Sequence, residues 1–459
     1  MSGQDTSGNP AGRPDWDRAT AVPGLARPRL TFDLDVDVCV VGGGLAGLAV
    51  AREAARRDVS VAVLEAGSIG EQASGRNFGL VAPGYPVDVR ELIERVGLAD
   101  ARALWTLAQE GVDRVRASAA QMPGLGLTQG WLQASTVDAG DEMIERLQVL
   151  GGDFGFEVEG WQVEQVRAVL RSERYFHAVH YPRAFSLHAH NYVLGLAADA
   201  AARGVHIFEN TPVTAIDVAG IRKRVETPGA RLRASHIVLA GNVHLGAASP
   251  RLAATLMPVW RAVGVTAPLG DKLAEALTYT GAVSDSADVD RYRIVSGNRL
   301  MWSSCQATFA IDPKSAARTI RKRIAAAFPQ LGRPALEHVW CGVYGRTVHG
   351  MPQIGELRPG LWVASGFGRH GLNTTAIAGE LVAAGMLDKD DRWRLFAPFE
   401  LVWAGGTAGR VVGQAVIGWG RGRLVLAGAL ARYRERADRR GQEREQRLAA
   451  ASRGARSDR

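Results

Sequence analysis

The chain has 459 residues, of which 46% are hydrophobic and 22% are charged, values typical of a folded soluble protein with two or three domains. The formal net charge is +8, but residues 432–459 alone carry ten Arg against five acidic residues. The basic residues are nearly all Arg, and Ala and Gly are abundant. Because this pattern more often reflects genome composition than nucleic-acid binding, we predict no nucleic-acid partner.

Neither a targeting segment nor a membrane span is visible. The first 33 residues are polar and lack the apolar core of a signal peptide, so they are predicted to form a flexible N-terminal arm. The longest apolar candidate, 402–431, is interrupted by three arginines and cannot be a transmembrane segment. Cys39, Cys305 and Cys341 form no CxxC pair, which fits a reducing compartment. The expected location is cytoplasmic.

The first motif is a complete strand–helix–strand unit. Its parts are a buried strand over 36–41, G-x-G-x-x-G at Gly42, Gly44 and Gly47, a helix over 45–57, a second strand over 59–64, and Glu65. The first glycine permits a tight turn, the second allows close approach of a pyrophosphate, and the third lets helix pack on strand. The acid can bind the ribose hydroxyls of adenosine. This unit predicts a dinucleotide site.

The middle of the chain alternates helical and strand patterns. Residues 67–87 read as a loop, and residues 89–178 as a mainly helical inserted cap. A helix is predicted over 191–203, and a strand ending in small residues over 237–242. Trp260, Arg261 and Trp302 are candidates for a substrate-facing sheet surface, although core packing explains the tryptophans equally well.

A second motif cluster lies between residues 340 and 387. It gives a strand over 361–364, a glycine-rich turn, and a helix over 372–387. The amino end of this helix is a second anion-friendly site, about 320 residues after the first. A nicotinamide enzyme does not need it, whereas a reduced flavin, which is negative near N1 and the C2 carbonyl, does.

These motifs together resemble the D-amino-acid-oxidase-like (DAO) family of FAD-dependent oxidoreductases. The match rests on the first glycine motif with its acid, on Ser74-Gly75-Arg76-Asn77, and on W-x-G-x(4)-T-x-x-G-x-P-x-I-G followed by G-x-G-x-H-G at 340–371. The motif over residues 74–77 is similar to that of gamma-glutamylputrescine-oxidase-like members. Glycine and sarcosine oxidases belong to the same family. The resemblance covers roughly residues 34–390.

The resemblance implies an α/β fold with a Rossmann-like FAD-binding domain of the GR2 type and an α+β substrate domain on a mostly antiparallel sheet. The expected FAD domain comprises 34–90, 179–250 and 341–395. The expected substrate domain comprises 91–178 and 251–340. A basic helical extension over 396–459 lies outside the resemblance, and its alternating Arg and Glu suit a solvated helix or a homo-oligomer contact.

The resemblance also implies a set of site residues. Those expected to bind FAD are Gly42, Gly44, Leu45, Ala46, Gly47, Glu65, Ala66, Ser74, Gly75, Arg76, Asn77, Val213, Ala240, Gly241, Gly366, Gly368, His370, Gly371 and Leu372. Tyr344, Arg346 and His370 are expected to act at the catalytic face. No metal site is expected.

The sequence departs from the family at positions that bear on the chemistry. Arg76 and Asn77 stand where some relatives carry a flavin-linking His, and Cys341 is one residue out of register with a flavin-linking Cys. We therefore predict non-covalent FAD. Tyr344 stands where many members have Arg, which leaves Arg346 as the candidate carboxylate ligand.

The implied function is oxidation of the C–N bond of an amine or amino acid, with hydride passing to flavin N5 and the imine then hydrolysed. The preferred substrate class is gamma-glutamylputrescine-like amines. Two alternatives remain open: a D-amino-acid dehydrogenase or glycine-oxidase-like enzyme, and a flavin-binding subunit that acts with a partner. The electron acceptor, O2 or another oxidant, is also open.

Overall fold

The computed structural model describes residues 25–285 and 289–457. Its strands are β1 (Leu34–Val41), β2 (Val61–Leu64), β3 (Leu80–Val81), β4 (Thr128–Ala134), β5 (Glu159–Trp161), β6 (Ala178–Ser186), β7 (His206–Phe208), β8 (Ala215–Asp217), β9 (Lys223–Glu226), β10 (Arg231–Leu239), β11 (Met257–Thr266), β12 (Ala282–Asp285), β13 (Arg291–Val295), β14 (Arg299–Ala307), β15 (Leu336–Arg346), β16 (Gln353–Arg358) and β17 (Leu361–Ser365). Its α-helices are α1 (Leu45–Ala55), α2 (Ala73–Arg76), α3 (Val89–Ala119), α4 (Gly140–Gln148), α5 (Val163–Leu170), α6 (Ala189–Ala202), α7 (Pro250–Ala253), α8 (Asp271–Ala276), α9 (Pro313–Ala327), α10 (Gly371–Leu387) and α11 (Gly406–Ser457).

The first sheet, sheet A, has a parallel centre in the order β17-β10-β1-β2-β7. Strand β1 is central because its residues from Val38 onward are apolar and buried, the pattern of a strand covered on both faces. Antiparallel β16 closes one edge, and the hairpin of β8 and β9 joins β10. The predicted Rossmann-like sheet is confirmed.

Helices α1, α3, α6 and α10 cover one face of sheet A and share a single apolar core with it. In α1 every residue from Leu45 to Ala54 is buried. Helix α3 consists of two segments that meet at Gly97, whose φ of +77° is not helical. This burial fixes the direction of α1 and α10 relative to the sheet.

The second sheet, sheet B, has the order β15-β11-β14-β13-β12-β4-β6-β3, with β5 paired to β6. All its pairings are antiparallel except that of β4 with β12. Helices α5, α8 and α9 pack on the face directed away from sheet A. The expected α+β architecture with a mostly antiparallel sheet is thus confirmed.

The segment 89–178 is mainly helical, as predicted, but it also contributes strands to sheet B. Strands β4 and β5 lie in this segment, and β4 sits between β6 and β12 inside sheet B. Strand β4 contains Gly130 and two glutamines, so its local pattern is weak, and its pairing with chain-distant strands decides its conformation. Strand β6, which follows this segment, also pairs in sheet B.

The C-terminal extension predicted over 396–459 contains one long helix, α11, which begins at Gly406. Its first half lies along sheet B: the Thr308 N–H donates to Gln414 Oε1 (2.9 Å), and Arg410 Nε donates to the Thr308 carbonyl (3.0 Å). Further on, Arg167 of α5 pairs with Glu435. None of the described helices has the length and apolarity to cross a membrane. Of the predicted N-terminal arm, residues 1–24 lie outside the described part of the chain.

Candidate active site

The amino ends of helices α1 and α10 meet at one cavity between the two sheets, which we call the main cavity. It encloses about 1060 Å³ of atom-free space, including its opening to solvent. Gly44 and Leu45 line it at the start of α1, and Gly371 and Leu372 line it at the start of α10. N–H groups in the first turn of a helix lack helical partners and lie at the positive end of the dipole. The main cavity therefore suits a ligand with anionic groups at two places.

The glycines of the first motif are required by close packing. Gly42 has a φ of +110°, and a Cβ there would stand 2.8 Å from the Ala240 carbonyl carbon. A Cβ on Gly47 would stand 1.9 Å from the Gly42 oxygen. A Cβ on Gly44 would stand 2.7 Å from Ser74 Oγ. Side chains at these positions would push apart the strand, the helix and the loop that form this end of the cavity.

Glu65 lies directly after β2, where the motif places its acid. Its two carboxylate oxygens accept hydrogen bonds from the Gly43 N–H (2.7 Å) and the Gly67 N–H (2.9 Å). Burial raises the pKa of Glu65, and these two bonds act in the opposite direction. The Thr211 N–H donates to the Glu65 carbonyl (2.8 Å), which brings half-buried Val213 to the same end of sheet A.

The loop after β2 contains α2 and forms one wall of the main cavity. Ser74 Oγ accepts a hydrogen bond from the Leu45 N–H (3.0 Å), so the hydroxyl satisfies one N–H in the first turn of α1. Asn77 closes the loop by accepting from the Gly79 N–H (2.8 Å) and donating to the Ser74 carbonyl (2.6 Å). This wall is therefore held in place by bonds within the loop and to α1.

Arg76 connects the loop to sheet B. Its guanidinium donates to the carbonyls of Glu71 (2.5 Å) and Cys341 (3.2 Å), while its own carbonyl accepts from Trp340 Nε1 (2.9 Å). Burial lowers the pKa of Arg76, although not to a range where it loses its proton at neutral pH. Arg76 thus places a cation at the cavity wall and also joins the two sheets.

The opposite wall is the sheet B surface that faces sheet A. Arg261, Arg291, Ser303 and Tyr344 line it. Arg261 Nε donates to Ser303 Oγ (2.9 Å) and its Nη2 donates to the Val289 carbonyl (3.2 Å). Arg291 is only 8% exposed. The cavity therefore has a cationic wall opposite the two helix starts.

Sequence reasoning missed Arg291 and Ser303. A usable signal was the alternation in β13, because residues two apart in a strand share a face. Tyr292 packs into the core below sheet B, so its neighbour Arg291 faces the cavity. Trp302 was wrongly considered for this surface, since it is fully buried and stacks on Tyr292 with ring centroids 4.5 Å apart. Trp260 lines a different cavity.

The main cavity brings together about half of the residues expected from the sequence. Those that line it are Gly44, Leu45, Ala46, Ser74, Arg76, Asn77, Ala240, Tyr344, Gly368, Gly371 and Leu372. Those that do not are Gly42, Gly47, Glu65, Ala66, Gly75, Val213, Gly241, Arg346, Gly366 and His370.

Two of the three residues expected at the catalytic face are not among the lining residues of the main cavity. Arg346 is exposed and borders a neighbouring cavity that also includes Tyr344. His370 is the residue before α10, and its carbonyl accepts from the Thr374 N–H (3.3 Å). Of the three, Tyr344 alone lines the main cavity.

Cys341 does not line the main cavity. It borders the cavity lined by Trp260, which adjoins the main cavity at Arg76, Gly342 and Val343. Its side chain packs against the core below sheet B. Burial raises the pKa of the Cys341 thiol to about 11, so it is protonated at neutral pH. A protonated thiol that faces away from the main cavity is poorly placed to attack a flavin there.

In the described part of the chain, no group of three or more His, Cys, Asp or Glu could hold a metal ion.

Comparison with known proteins assigns the chain to a family. Residues 37–384 match the family model DAO, described as FAD dependent oxidoreductase. A probable oxidoreductase OrdL of Haemophilus influenzae is 28% identical over 80% of this chain and 87% of its own length. The gamma-glutamylputrescine oxidoreductase of Escherichia coli is 29% identical over the same shares of the two chains.

Solved structures agree on the fold. The crystal structure of glycine oxidase from Geobacillus kaustophilus superposes with a TM-score of 0.66 at 23% identity, over 80% of this chain and 99% of that one. An L-proline dehydrogenase from P. horikoshii superposes with a TM-score of 0.64 over 82% of this chain. The matched family region ends inside α10, so α11 lies beyond it.

Proposed function

The chain belongs to the DAO family of FAD dependent oxidoreductases, and on that basis we propose that it oxidises a C–N bond of an amine or amino acid. The preferred substrate class is a gamma-glutamylputrescine-like amine, in line with the Escherichia coli relative. The observation that carries the proposal is the convergence of two helix starts and an arginine-bearing sheet surface on one cavity. Such a cavity accommodates a phosphate-bearing cofactor on one side and a substrate on the other.

The residues of the main cavity fit FAD. Gly44 and Ser74 would lie at the pyrophosphate, where a Cβ on Gly44 would collide with the Ser74 hydroxyl. Glu65 would accept bonds from the adenosine ribose, and the first turn of α10 at Gly371 and Leu372 would face the pyrimidine end of the ring. When bound, FAD accepts the hydride from the carbon that carries the amine, and the imine released is hydrolysed by water.

The chain's own residues bind and orient the substrate. Tyr344 and Arg261 line the substrate side of the main cavity, and Ser303 fixes the Arg261 guanidinium through its Nε. Among its described lining residues there is no Asp, Glu or His that could serve as a base. We therefore propose that the amine binds in its neutral form and that the protein acts through orientation and exclusion of water.

A D-amino-acid dehydrogenase or glycine-oxidase-like activity is the second candidate. It is favoured by the glycine oxidase relative from Geobacillus kaustophilus, 25% identical over 80% of this chain. This activity needs a cation for the substrate carboxylate. Arg346, proposed from the sequence, is exposed outside the main cavity, whereas Arg261 and Arg291 line it. We assign the carboxylate contact to these two.

Further features of the proposal rest on the sequence and on α11. The FAD is proposed to be non-covalent, the location is proposed to be cytoplasmic, and the electron acceptor is O2 or another oxidant.

An apolar set of side chains on α11, including Val412, Val416 and Trp419, is more than half exposed. Large exposed apolar patches mark interaction sites, which supports a homo-oligomer contact through this helix. A flavin-binding subunit that needs a partner for activity remains the alternative from another class.

The deciding experiment is the visible spectrum of the purified protein, followed by anaerobic addition of gamma-glutamylputrescine, sarcosine, glycine and D-alanine. Bleaching by gamma-glutamylputrescine would support the preferred class, and bleaching by glycine or D-alanine alone would favour the second candidate. A flavin that none of the four reduces would overturn both proposals, and reduction that appears only with a cell extract would indicate the partner-dependent alternative.

A further inference from the structure

A second cavity adjoins the main cavity and shares Tyr344, Gly368 and Arg369 with it. We call this second cavity the vestibule. One wall is formed by Arg346 at the end of β15, and the facing wall by Arg421 of α11. It encloses about 760 Å³ of atom-free space, including its opening. Since it shares residues with the main cavity, the two cavities are adjacent.

The vestibule is cationic. Arg346, Arg369 and Arg421 line it, and its described lining includes no Asp or Glu. Arg421 is half-buried and donates to the Gln306 carbonyl, so its guanidinium is held on the cavity side of α11. Burial lowers the pKa of Arg421, and the charges of Arg323 and Arg261 lower it further, whereas Cys305 and Asp290 raise it.

Helix α11 supplies this wall although it lies outside the region shared with the family. The helix is anchored on both sides of Arg421, by Gln414 on Thr308 and by Glu435 on Arg167. Ile417 and Gly420 join Arg421 in lining the vestibule. The extension thus contributes to the substrate path and is not only a surface appendage.

We propose that the vestibule binds a carboxylate of the substrate, at a position several bonds from the C–N bond that is oxidised, with Arg421 as the specificity residue contributed by α11. The proposal rests on the proposed function for the location of the reacting amine. It names the substrate class as amines with a distal carboxylate. Arginine is suited to this role because its planar guanidinium binds carboxylates in a bidentate manner.

The first test measures binding without turnover. The full-length FAD-loaded protein is titrated calorimetrically with glutarate, a five-carbon dicarboxylate, and with glutaramide, its neutral analogue. We expect glutarate to bind, glutaramide not to bind, and Arg421→Gln to raise the dissociation constant of glutarate at least tenfold. Arg421→Lys should restore part of the affinity. Arg423→Gln is the matched control, because Arg423 is exposed on the same helix and lines none of these cavities.

The second test separates the vestibule from the proposed reaction. With an amine that carries a distal carboxylate, Arg421→Gln should raise KM about tenfold with kcat changed less than twofold, and with the corresponding carboxamide it should change neither. If no amine reduces the flavin but glutarate binding depends on Arg421, the vestibule stands and the proposed function fails. If amines are oxidised and neither glutarate binding nor KM depends on Arg421, the vestibule proposal is overturned.

A folding defect in Arg421→Gln is checked by its melting temperature and FAD content. Should this variant fail to fold, Arg346→Gln tests the opposite wall, because the Arg346 side chain is exposed and contributes little to packing. It is expected to weaken glutarate binding by several fold. Unchanged glutarate affinity in a folded Arg346→Gln protein would count against a carboxylate held between the two walls.

Discussion

Gly379 of α10 lies directly against Ala49 of α1, so that a Cβ on Gly379 would stand 2.7 Å from the Ala49 carbonyl carbon. The two residues are more than 300 positions apart in the chain. Their contact sets the spacing of the two helices whose amino ends line the main cavity. The packing of the two helices therefore sets the distance between their amino ends. These ends are where the phosphate end and the ring end of FAD are proposed to bind.

Substitution Gly379→Ala should weaken this helix pair. Overpacking a buried contact costs about 1–3 kcal/mol, and the shift should be passed to the helix starts, so we expect a lower melting temperature and loss of FAD on gel filtration. Gly418→Ala, at an open position on α11, is the control and should leave FAD content unchanged. Full FAD retention by a destabilised Gly379→Ala protein would show that the helix contact serves stability alone.

Gly44→Ala should distinguish two reasons why position 44 requires glycine: the close contact with Ser74 and the approach of the FAD pyrophosphate to the backbone. The added Cβ would stand 2.7 Å from Ser74 Oγ but 3.7 Å from Ser74 Cβ, so the double variant Gly44→Ala/Ser74→Ala removes the collision. We expect urea denaturation to show partial recovery of stability in the double variant, while FAD affinity, measured by fluorescence, stays low because the backbone can no longer approach the pyrophosphate. Recovery of both properties would place the pyrophosphate away from Gly44.

Cys341→Ala should leave the flavin unaffected. The thiol faces away from the main cavity and is protonated at neutral pH. Acid precipitation of the native protein should release all of its flavin into the supernatant, and the variant should retain the wild-type flavin content and spectrum. Yellow colour that stays with the precipitated protein, and is lost in Cys341→Ala, would contradict non-covalent binding.

Acidification should destabilise the fold through His349. Its ring accepts from the Met351 N–H (3.1 Å), and burial lowers its pKa below the usual value of 6.5. Because the unfolded chain binds this proton more readily, the stabilising contribution is present above pH 6.5 and is lost as the pH falls through the folded pKa.

His349→Asn should therefore reduce the loss of unfolding free energy between pH 7 and pH 5, as followed by urea denaturation. Asn retains an acceptor for the Met351 N–H but does not titrate. His206→Asn, at an exposed position on β7, serves as the control and should follow the wild-type pH dependence. An equal loss for His349→Asn and wild type would place the acid sensitivity elsewhere.

Trp419→Glu should abolish self-association through α11. Trp419 is 73% exposed on the apolar surface of this helix, and a carboxylate at the centre of an apolar interface would remain desolvated without a partner. Light scattering after gel filtration should give a multimer for wild type and a monomer for the variant, while Arg423→Gln leaves the mass unchanged. A monomeric wild type would refute the proposed contact.

The sequence by itself determined the Rossmann-like sheet, the tight turn at Gly42, and the start of the second helix, predicted at 372 and found at Gly371. These features follow from local patterns, since apolar runs, glycines and helix starts have one dominant physical interpretation. It also located Glu65 at the end of β2, where its carboxylate receives two backbone N–H bonds.

Only the tertiary structure decided which residues of sheet B and α11 line the two cavities. Strand β4 enters sheet B, Arg291 joins Arg261 at the cavity, and Arg421 reaches the vestibule from α11, all through pairing of segments distant in the chain. Arg346 and Arg291 cannot be distinguished by residue type, because both are arginines at the ends of strands. Their different burial comes from strand register and from what packs above each one, and a single sequence carries no direct record of either.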